Sequence, residues 1–121
     1  MASLELAGIR KAYGPVPVLD DVSLSVDPRE FIAFLGPSGS GKSTLLRIIA
    51  GLETADAGTA HLEGRRIDTL PPGQRGVAMV FQHYALYPHM TVRENMAFGL
   101  RNLRVDRGEI DRRIADAARV L

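Results

Sequence analysis

One glycine-rich segment constrains this chain more than any other feature of its sequence. Residues 36–43 read GPSGSGKS and match G-x-x-x-x-G-K-[ST] at every fixed position. Five apolar residues, 31–35, precede the segment, and residues 42–52 carry apolar side chains at helical spacing. A buried strand, a tight glycine loop and a helix in this order predict a loop whose main-chain amides surround phosphate groups.

Each residue type in this loop has a physical reason to be there. Glycine is needed where the backbone takes a positive φ or approaches a phosphate oxygen, and Gly39 and Gly41 meet that need. The ammonium of Lys42 would contact the β- and γ-phosphates, and the hydroxyl of Ser43 would complete the coordination of Mg²⁺, which prefers hard oxygen ligands. The alternative, a flexible loop without a ligand, is disfavoured by the flanking strand and helix. We expect Mg-ATP to contact the whole loop and the first helical turn: Gly36, Pro37, Ser38, Gly39, Ser40, Gly41, Lys42, Ser43 and Thr44.

The composition excludes several classes of function. Fifteen basic and fourteen acidic residues give a net charge of +1, which offers no reason to expect nucleic acid or anionic lipid as a partner. The lack of cysteine excludes disulfides, thiolate catalysis and cysteine-ligated metals. No apolar stretch approaches the roughly 18 to 20 residues of a membrane-spanning helix, and the N-terminus lacks the layout of a signal peptide. We therefore expect a soluble, cytoplasmic protein that reaches a membrane only through a partner.

Apolar patterns predict the strands. Residues 4–9 and 22–26 carry apolar side chains separated by polar or small ones, which predicts two half-buried strands paired antiparallel across a turn rich in glycine and proline. Residues 31–35 and 77–81 are apolar without alternation, as is typical of parallel strands buried on both faces. A short strand is expected over residues 60–62.

Two further helices are predicted beyond the helix that follows the loop. Thr91 and Glu94 have the spacing of a capping box, so a helix should run from there to about Leu103. Asp106 should cap a last helix with one apolar stripe. No stop signal precedes Leu121, and we take this as a sign of truncation.

Two segments resemble one superfamily closely. The segment GPSGSGKSTLLRIIAGLE is similar to the phosphate loop and first helix of the ATPase subunits of ABC transporters. The segment MVFQHYALYPHMTVRENMAFGLR is similar to their Q-loop region, which many phosphate-loop proteins lack, and is most similar to the carbohydrate importers of the maltose type. The resemblance covers the chain from Leu4 onward.

This resemblance implies a truncated α/β domain with a P-loop NTPase core. Residues 1–90 would form an N-terminal antiparallel β part and the core as far as the Q-loop. Residues 91–121 would begin a helical subdomain. Together they would make up a partial nucleotide-binding domain spanning residues 1–121.

The resemblance also implies roles for residues outside the loop. Tyr13 stands where an aromatic ring stacks on adenine. The residues alone do not distinguish this role from that of a turn tyrosine that packs on the strands. Gln82 stands at the Q-loop glutamine, which contacts Mg²⁺ and the region of the attacking water, although a polar residue ending a strand is the alternative. Lys42 and Gln82 are thus the catalytic candidates, and Ser43 and Gln82 are the candidate metal ligands.

The resemblance implies that residues 83–100 receive a short helix of the transmembrane permease subunit. The sequence leaves open whether each apolar residue there packs inward or contacts the partner. A metal site at His83 and His89 is not expected, since no third ligand accompanies them.

The family pattern is incomplete in this chain. No aliphatic run ending in Asp-Glu follows Gln82, and the LSGGQ signature and the downstream switch histidine are missing. The resemblance implies a parent that is peripheral on the cytoplasmic face of the cell membrane, works as a homodimer or paired with another ATPase subunit, and couples ATP hydrolysis to import of a solute, expected to be a sugar. We expect the 121 residues alone to bind nucleotide weakly and not to hydrolyse it. One alternative is a non-catalytic module that binds nucleotide or a partner. Another is a small kinase or a GTPase, which is less favoured because the sequence has neither an arginine-rich lid nor an N-K-x-D motif.

Overall fold

The computed structural model describes residues 3–81 and 86–121. The chain divides into two compact units, Met1–Met79 and Val80–Leu121. In the described ranges, the first unit contains four strands, a helix and a 3₁₀ turn over Pro72–Gln74, and the second contains two helices. Within the described ranges no helix has the length and apolar character needed to cross a membrane.

An antiparallel sheet forms the β part of the first unit. Strand β1, Leu4–Tyr13, pairs with β2, Val16–Val26, in a register that runs from Leu4 opposite Val26 to Tyr13 opposite Val16. Strand β3, Ala57–Leu62, pairs with the other edge of β1, and β4, Arg65–Arg66, extends β3. The order is therefore β2-β1-β3-β4. The antiparallel pairing predicted for the first two strands is confirmed.

A glycine lets β3 approach β1 closely where the register shifts. Gly58 has a φ of +101°, and a Cβ there would lie 2.6 Å from the carbonyl oxygen of Gly8. Just before it, the amide of Asp56 donates to the carbonyl of Arg10 at 2.8 Å. This close approach places the segment that leads into β3 beside the end of β1 that carries Tyr13.

The helix that follows the glycine loop packs on this sheet. Helix α1 is Lys42–Ala50. Its buried side chains Leu45, Ile48 and Ile49 join one core cluster with residues of the sheet and the β4 region. The other buried members of the cluster are Leu6, Ile9, Leu19, Ala60 and Ile67. Since burying one such aliphatic side chain is worth about 1.5–3 kcal/mol, this contact fixes α1 on the sheet.

The two strands predicted over residues 31–35 and 77–81 do not form. Neither segment is hydrogen-bonded into the sheet, and the side chains of Phe31, Leu35 and Val80 are 93%, 91% and 96% exposed. A strand buried on both faces needs hydrogen-bonded neighbours at its edges and helices over its faces. Among the described residues, the sheet supplies no neighbour to either segment. The prediction of parallel strands is therefore wrong for this structure.

A buried arginine holds the far end of α1. The helix ends at Gly51, which takes a φ of +89°. Nη1 of Arg75 donates to the carbonyls of Ile48 and Ile49 at 2.9 and 3.2 Å, and its other nitrogens donate to two carbonyls of the preceding turn. A Cβ on Gly51 would lie 2.7 Å from Nε of Arg75. The cation thus satisfies the last carbonyls of the helix and the negative end of its dipole.

Replacing Arg75 with methionine should destabilise the first unit. Arg75 is 6% exposed, so Arg75→Met would remove the side-chain donor to the carbonyl of Ile49 and one of the two donors to that of Ile48, at a cost of about 2–4 kcal/mol. Urea unfolding followed by circular dichroism measures this. The control is Arg65→Met, because the exposed Arg65 gives one hydrogen bond, to the carbonyl of Gln74. Equal urea midpoints for the two variants would contradict the role assigned to Arg75.

The second unit is a pair of packed helices. Helix α2, Val92–Asn102, begins with the predicted capping box, in which the amide of Glu94 donates to Thr91 Oγ1 at 3.1 Å and the amide of Thr91 donates to Glu94 Oε2 at 3.2 Å. Helix α3, Arg107–Val120, is capped by Asp106, which accepts from the amide of Gly108 at 3.1 Å. Both helix predictions are confirmed. Of its residues that the structure describes, Ala97, Ile110 and Ile114 are buried.

Candidate functional site

The glycine loop turns sharply before α1 instead of continuing as a strand. Gly39 and Gly41 have φ values of +84° and +94°, in the left-handed region that favours glycine. The amide of Ser40 donates to the carbonyl of Pro37 at 3.2 Å, which closes a turn within the loop. Pro37, Ser38 and Ser40 are exposed, so the loop faces outward.

Gly41 joins the loop to the sheet as well as to the helix. It is buried, and a Cβ there would lie 2.9 Å from Cδ2 of Leu19 and 3.0 Å from the carbonyl oxygen of Val18, both on β2. Its own carbonyl accepts the first helical hydrogen bond, from the amide of Leu45 at 2.9 Å. The absence of a side chain therefore allows α1 to start directly against the sheet.

The N-terminus of α1 keeps a positive potential. The structure describes this helix in full, and its first turn has no acidic side chain and no side-chain cap on its amides. The ammonium of Lys42 donates to the carbonyl oxygen of Gly36, across the loop. Among the ion pairs of the described residues, none involves Lys42. An unneutralised cation and uncapped amides converge on one loop, which favours an anion there.

The next two predicted residues differ in exposure. Ser43 is exposed, whereas Thr44 is buried in the first turn of α1. Lys42 and Ser43 lie along a cleft of about 510 Å³ whose other walls are mainly apolar, including Ile32, Phe34 and Leu46. Ser43 therefore lies at the surface beside this cleft.

Gly41→Ala should damage the loop more than Gly39→Ala. Both alanines would take a left-handed φ, at a cost of about 1–2 kcal/mol each. Only the Cβ at residue 41 would also collide with β2, because a Cβ at residue 39 meets no atom within 4 Å. Thermal unfolding of the two variants measures the difference. A Gly41→Ala protein as stable as Gly39→Ala would show that the contact with β2 does not constrain the loop.

Tyr13 belongs to a cluster of four interacting side chains at the end of β1. We call Lys11, Tyr13, Glu53 and Asp56 the Tyr13 cluster. The hydroxyl of Tyr13 donates to Glu53 Oε2 at 3.0 Å, and Nζ of Lys11 lies 5.4 Å from the centroid of the tyrosine ring. Lys11 also pairs with Glu53 at 3.2 Å and with Asp56 at 3.5 Å, and the amide of Ala12 donates to Asp56 at 2.8 Å. The tyrosine remains 46% exposed, so it is held by its hydroxyl without being buried.

The charges in this cluster stabilise one another. The hydroxyl of Tyr13 first, and the ammonium of Lys11 second, lower the pKa of Glu53. The amide of Ala12 is the main cause of the lowered pKa of Asp56, and the hydrogen bond to Glu53 is the main cause of the raised pKa of Lys11. All three groups therefore stay charged at neutral pH.

Tyr13→Phe should raise the pKa of Glu53 towards its ordinary value of 4.5, because the variant removes the largest cause of the shift. A carboxyl whose pKa is lowered by folding stabilises the fold above its unfolded-state pKa, and that contribution is lost as pH falls through the folded-state pKa. Titration of side-chain carboxyl signals by NMR measures the change. Glu109 is the internal control, since Arg112 and Arg113 hold its pKa at about 2 in the second unit. An unchanged pKa of Glu53 in Tyr13→Phe would contradict the hydrogen bond.

The remaining predicted residues lie in the second unit. Gln82 and residues 83–85 lie outside the described residues. Of the apolar residues after them, Tyr87 packs on Phe98 of α2 with ring centroids 4.8 Å apart, and its amide donates to Asn95 at 2.9 Å. Leu86 is exposed. His89 belongs to no cluster of potential metal ligands in the described part of the chain.

Two residues with a clear local role were missed by sequence reasoning. Arg75 belongs to no motif, and its function as a cap depends on a contact 27 residues away along the chain. Glu53 is the last residue of the segment that resembles the phosphate loop and first helix, so the motif included it without indicating its partner.

Comparison with known proteins identifies the family. Residues 19–121 match the ABC transporter family, and the chain belongs to it. Two crystal structures of ABC-transporter ATP-binding cassettes, one in an ADP conformation and one nucleotide-free, each match with a TM-score of 0.58 and 38% identity, over 60% of this chain and 29% of theirs. The predicted α/β fold of the ABC type is confirmed.

Similar sequences narrow the family further. The chain is 54% identical over 121 residues to the sn-glycerol-3-phosphate import ATP-binding protein UgpC 1 of Rhizobium etli and to the alpha-glucoside transport ATP-binding protein AglK of Rhizobium meliloti. It is 52% identical over 122 residues to the UgpC protein of Brucella abortus. The matches cover all of this chain but only 33–35% of those proteins. The resemblance to ATPases of carbohydrate importers is confirmed.

Proposed function

We propose that this chain is part of the ATP-binding subunit of an ABC importer, which couples ATP hydrolysis to the import of a solute, expected to be a sugar. The observation that carries the proposal is the start of α1. There, two glycines in the left-handed conformation, uncapped amides and an ammonium bonded to a neutral carbonyl face one loop. The names of the similar proteins, which describe import of sn-glycerol-3-phosphate and transport of alpha-glucoside, support an importer.

The triphosphate would lie along residues 36–44. Main-chain amides of the loop and of the first turn of α1 would donate to phosphate oxygens, and Lys42 would exchange its bond to the carbonyl of Gly36 for bonds to the β- and γ-phosphates. This exchange is favourable because a charged acceptor replaces a neutral one.

Magnesium fits the donor set around Ser43. Ser43 is exposed and its hydroxyl is a hard oxygen ligand, and Mg²⁺ commonly takes one or two protein oxygens and completes its octahedron with phosphate oxygens and water. We assign Gln82 as the second protein ligand and as the residue that orients the attacking water. Its amide oxygen suits the cation and its NH₂ group suits the water.

The adenine ring would stack on Tyr13. The tyrosine and the glycine loop belong to the same compact unit, and the ring is exposed enough to accept a base. A flat ring recognises a flat base with little hydrogen bonding, so we expect loose base selectivity.

Residues 83–100 would form the contact with the transmembrane permease subunits, and the subunit would then be a peripheral protein on the cytoplasmic face of the membrane. We assign residues 1–90 to the β part and core and residues 91–121 to the start of the helical subdomain. A second ATPase subunit, identical or paired, would complete the assembly, and nucleic acid is not a partner.

A non-catalytic nucleotide-binding module is the second candidate. The chain has the cradle, the lysine and the glutamine, but no Asp-Glu pair follows an aliphatic run after Gln82. The family resemblance implies that hydrolysis also needs the carboxylate base of that pair and the LSGGQ signature, and neither is present in these 121 residues. We therefore propose that the 121 residues alone bind nucleotide without significant turnover.

Lys42→Ala should weaken binding of Mg-ATP by roughly 10- to 100-fold, the loss expected when a charged donor to phosphate is removed. Titration of labelled ATP and GTP, with and without Mg²⁺, measures affinity, base preference and metal dependence. Arg47→Ala, which removes an exposed cation from the same helix, should bind as the unmodified chain does.

Two results would contradict these expectations. Equal affinities of Lys42→Ala and the unmodified chain for Mg-ATP would contradict the proposed phosphate site. A steady ATPase rate in the purified chain that Lys42→Ala abolishes would show that these residues suffice for hydrolysis.

A further inference from the structure

We propose that Glu53 is a positioning residue that, with Lys11, orients the ring of Tyr13 as a platform for the adenine base. The inference rests on the proposed function and extends it to two residues that have no part in the phosphate loop. It concerns the base end of the nucleotide, so it can be tested separately from phosphate binding.

The tyrosine ring is fixed at both ends. Its backbone belongs to β1, and its hydroxyl donates to Glu53 Oε2 at 3.0 Å. A half-exposed aromatic side chain held only by its backbone would sample several rotamers and would lose that freedom on binding a base. The bond to Glu53 removes the freedom before the base arrives, and such preorganisation increases affinity.

Glu53 is itself held firmly. Its Oε1 lies 3.2 Å from Nζ of Lys11 and accepts from the amide of Thr54 at 3.0 Å, while its Oε2 binds Tyr13. It also follows the end of α1 by only a few residues, after the cap at Gly51. The helix that begins at Lys42 thus leads directly to the carboxylate that holds the tyrosine.

The position of Lys11 determines which face of the Tyr13 ring is open to the base. Its ammonium lies 5.4 Å from the ring centroid, within the range of a cation–π contact. The lysine side chain is only 13% exposed, and Glu53 and Asp56 both pair with the ammonium. One face of the ring is therefore occupied, and a base would stack on the opposite face.

The experiment compares two ligands on the unmodified full chain and on variants. Mg-ATP uses both the base platform and the phosphate loop, whereas inorganic tripolyphosphate with Mg²⁺ uses only the loop. Tyr13→Phe keeps the ring and loses the hydroxyl, and Glu53→Ala removes the acceptor. Each should weaken Mg-ATP roughly 3- to 10-fold, the effect of freeing one side chain, and leave tripolyphosphate unchanged.

The double variant tests whether the two residues act through one bond. If they do, Tyr13→Phe combined with Glu53→Ala should bind Mg-ATP no more weakly than the weaker single variant. Glu5→Ala is the matched control, since it removes an exposed glutamate at the opposite end of β1, and it should change neither affinity.

The outcomes separate this inference from the proposed function. Unchanged affinity of Glu53→Ala for Mg-ATP would overturn the inference alone. Equal losses for Mg-ATP and tripolyphosphate would also overturn it, because they would show that Glu53 only supports the fold. An unmodified chain that binds neither ligand would overturn the proposed function, and this would be visible before any variant is made.

Discussion

The contact of Gly41 with β2 is the constraint on which the rest of the first unit depends. At this residue the loop ends, α1 begins, and the backbone touches Leu19 and Val18 with no space for a Cβ. The contact fixes where the helix starts on the sheet, and hence where its free amides and Lys42 point. The geometry of the proposed anion site is therefore a result of packing between a helix and a sheet, and the charge of Lys42 adds to it.

Local signals in the sequence were sufficient for features that local chemistry decides. The capping box at Thr91, the cap at Asp106 and the glycine loop each depend on residues within a few positions of one another. The antiparallel pairing of β1 and β2 needs only a short turn between alternating patterns. All of these were predicted, because the interactions that form them lie within the segment that signals them.

Features that depend on distant partners could not be predicted in the same way. The apolar runs at residues 31–35 and 77–81 signal burial, but burial on two faces requires neighbours that the described residues do not supply. Arg75 and Glu53 show the converse, because an ordinary arginine and an ordinary glutamate acquire a role only when folding brings a helix end or a tyrosine to them. The residue type at a single position does not indicate such a long-range contact.

Both ends of α1 are held by tertiary contacts, and this bears on the chemistry of the site. Gly41 places the first turn and Arg75 binds the last carbonyls, so the helix can present its amides as fixed dipoles. In the proposed function those dipoles and Lys42 meet phosphate charge that is already present in the ground state of the nucleotide. Interactions that are equally strong in the ground and transition states raise affinity and leave the barrier unchanged. In the proposed function, a chain with this cradle but without the carboxylate base should therefore bind nucleotide without hydrolysing it.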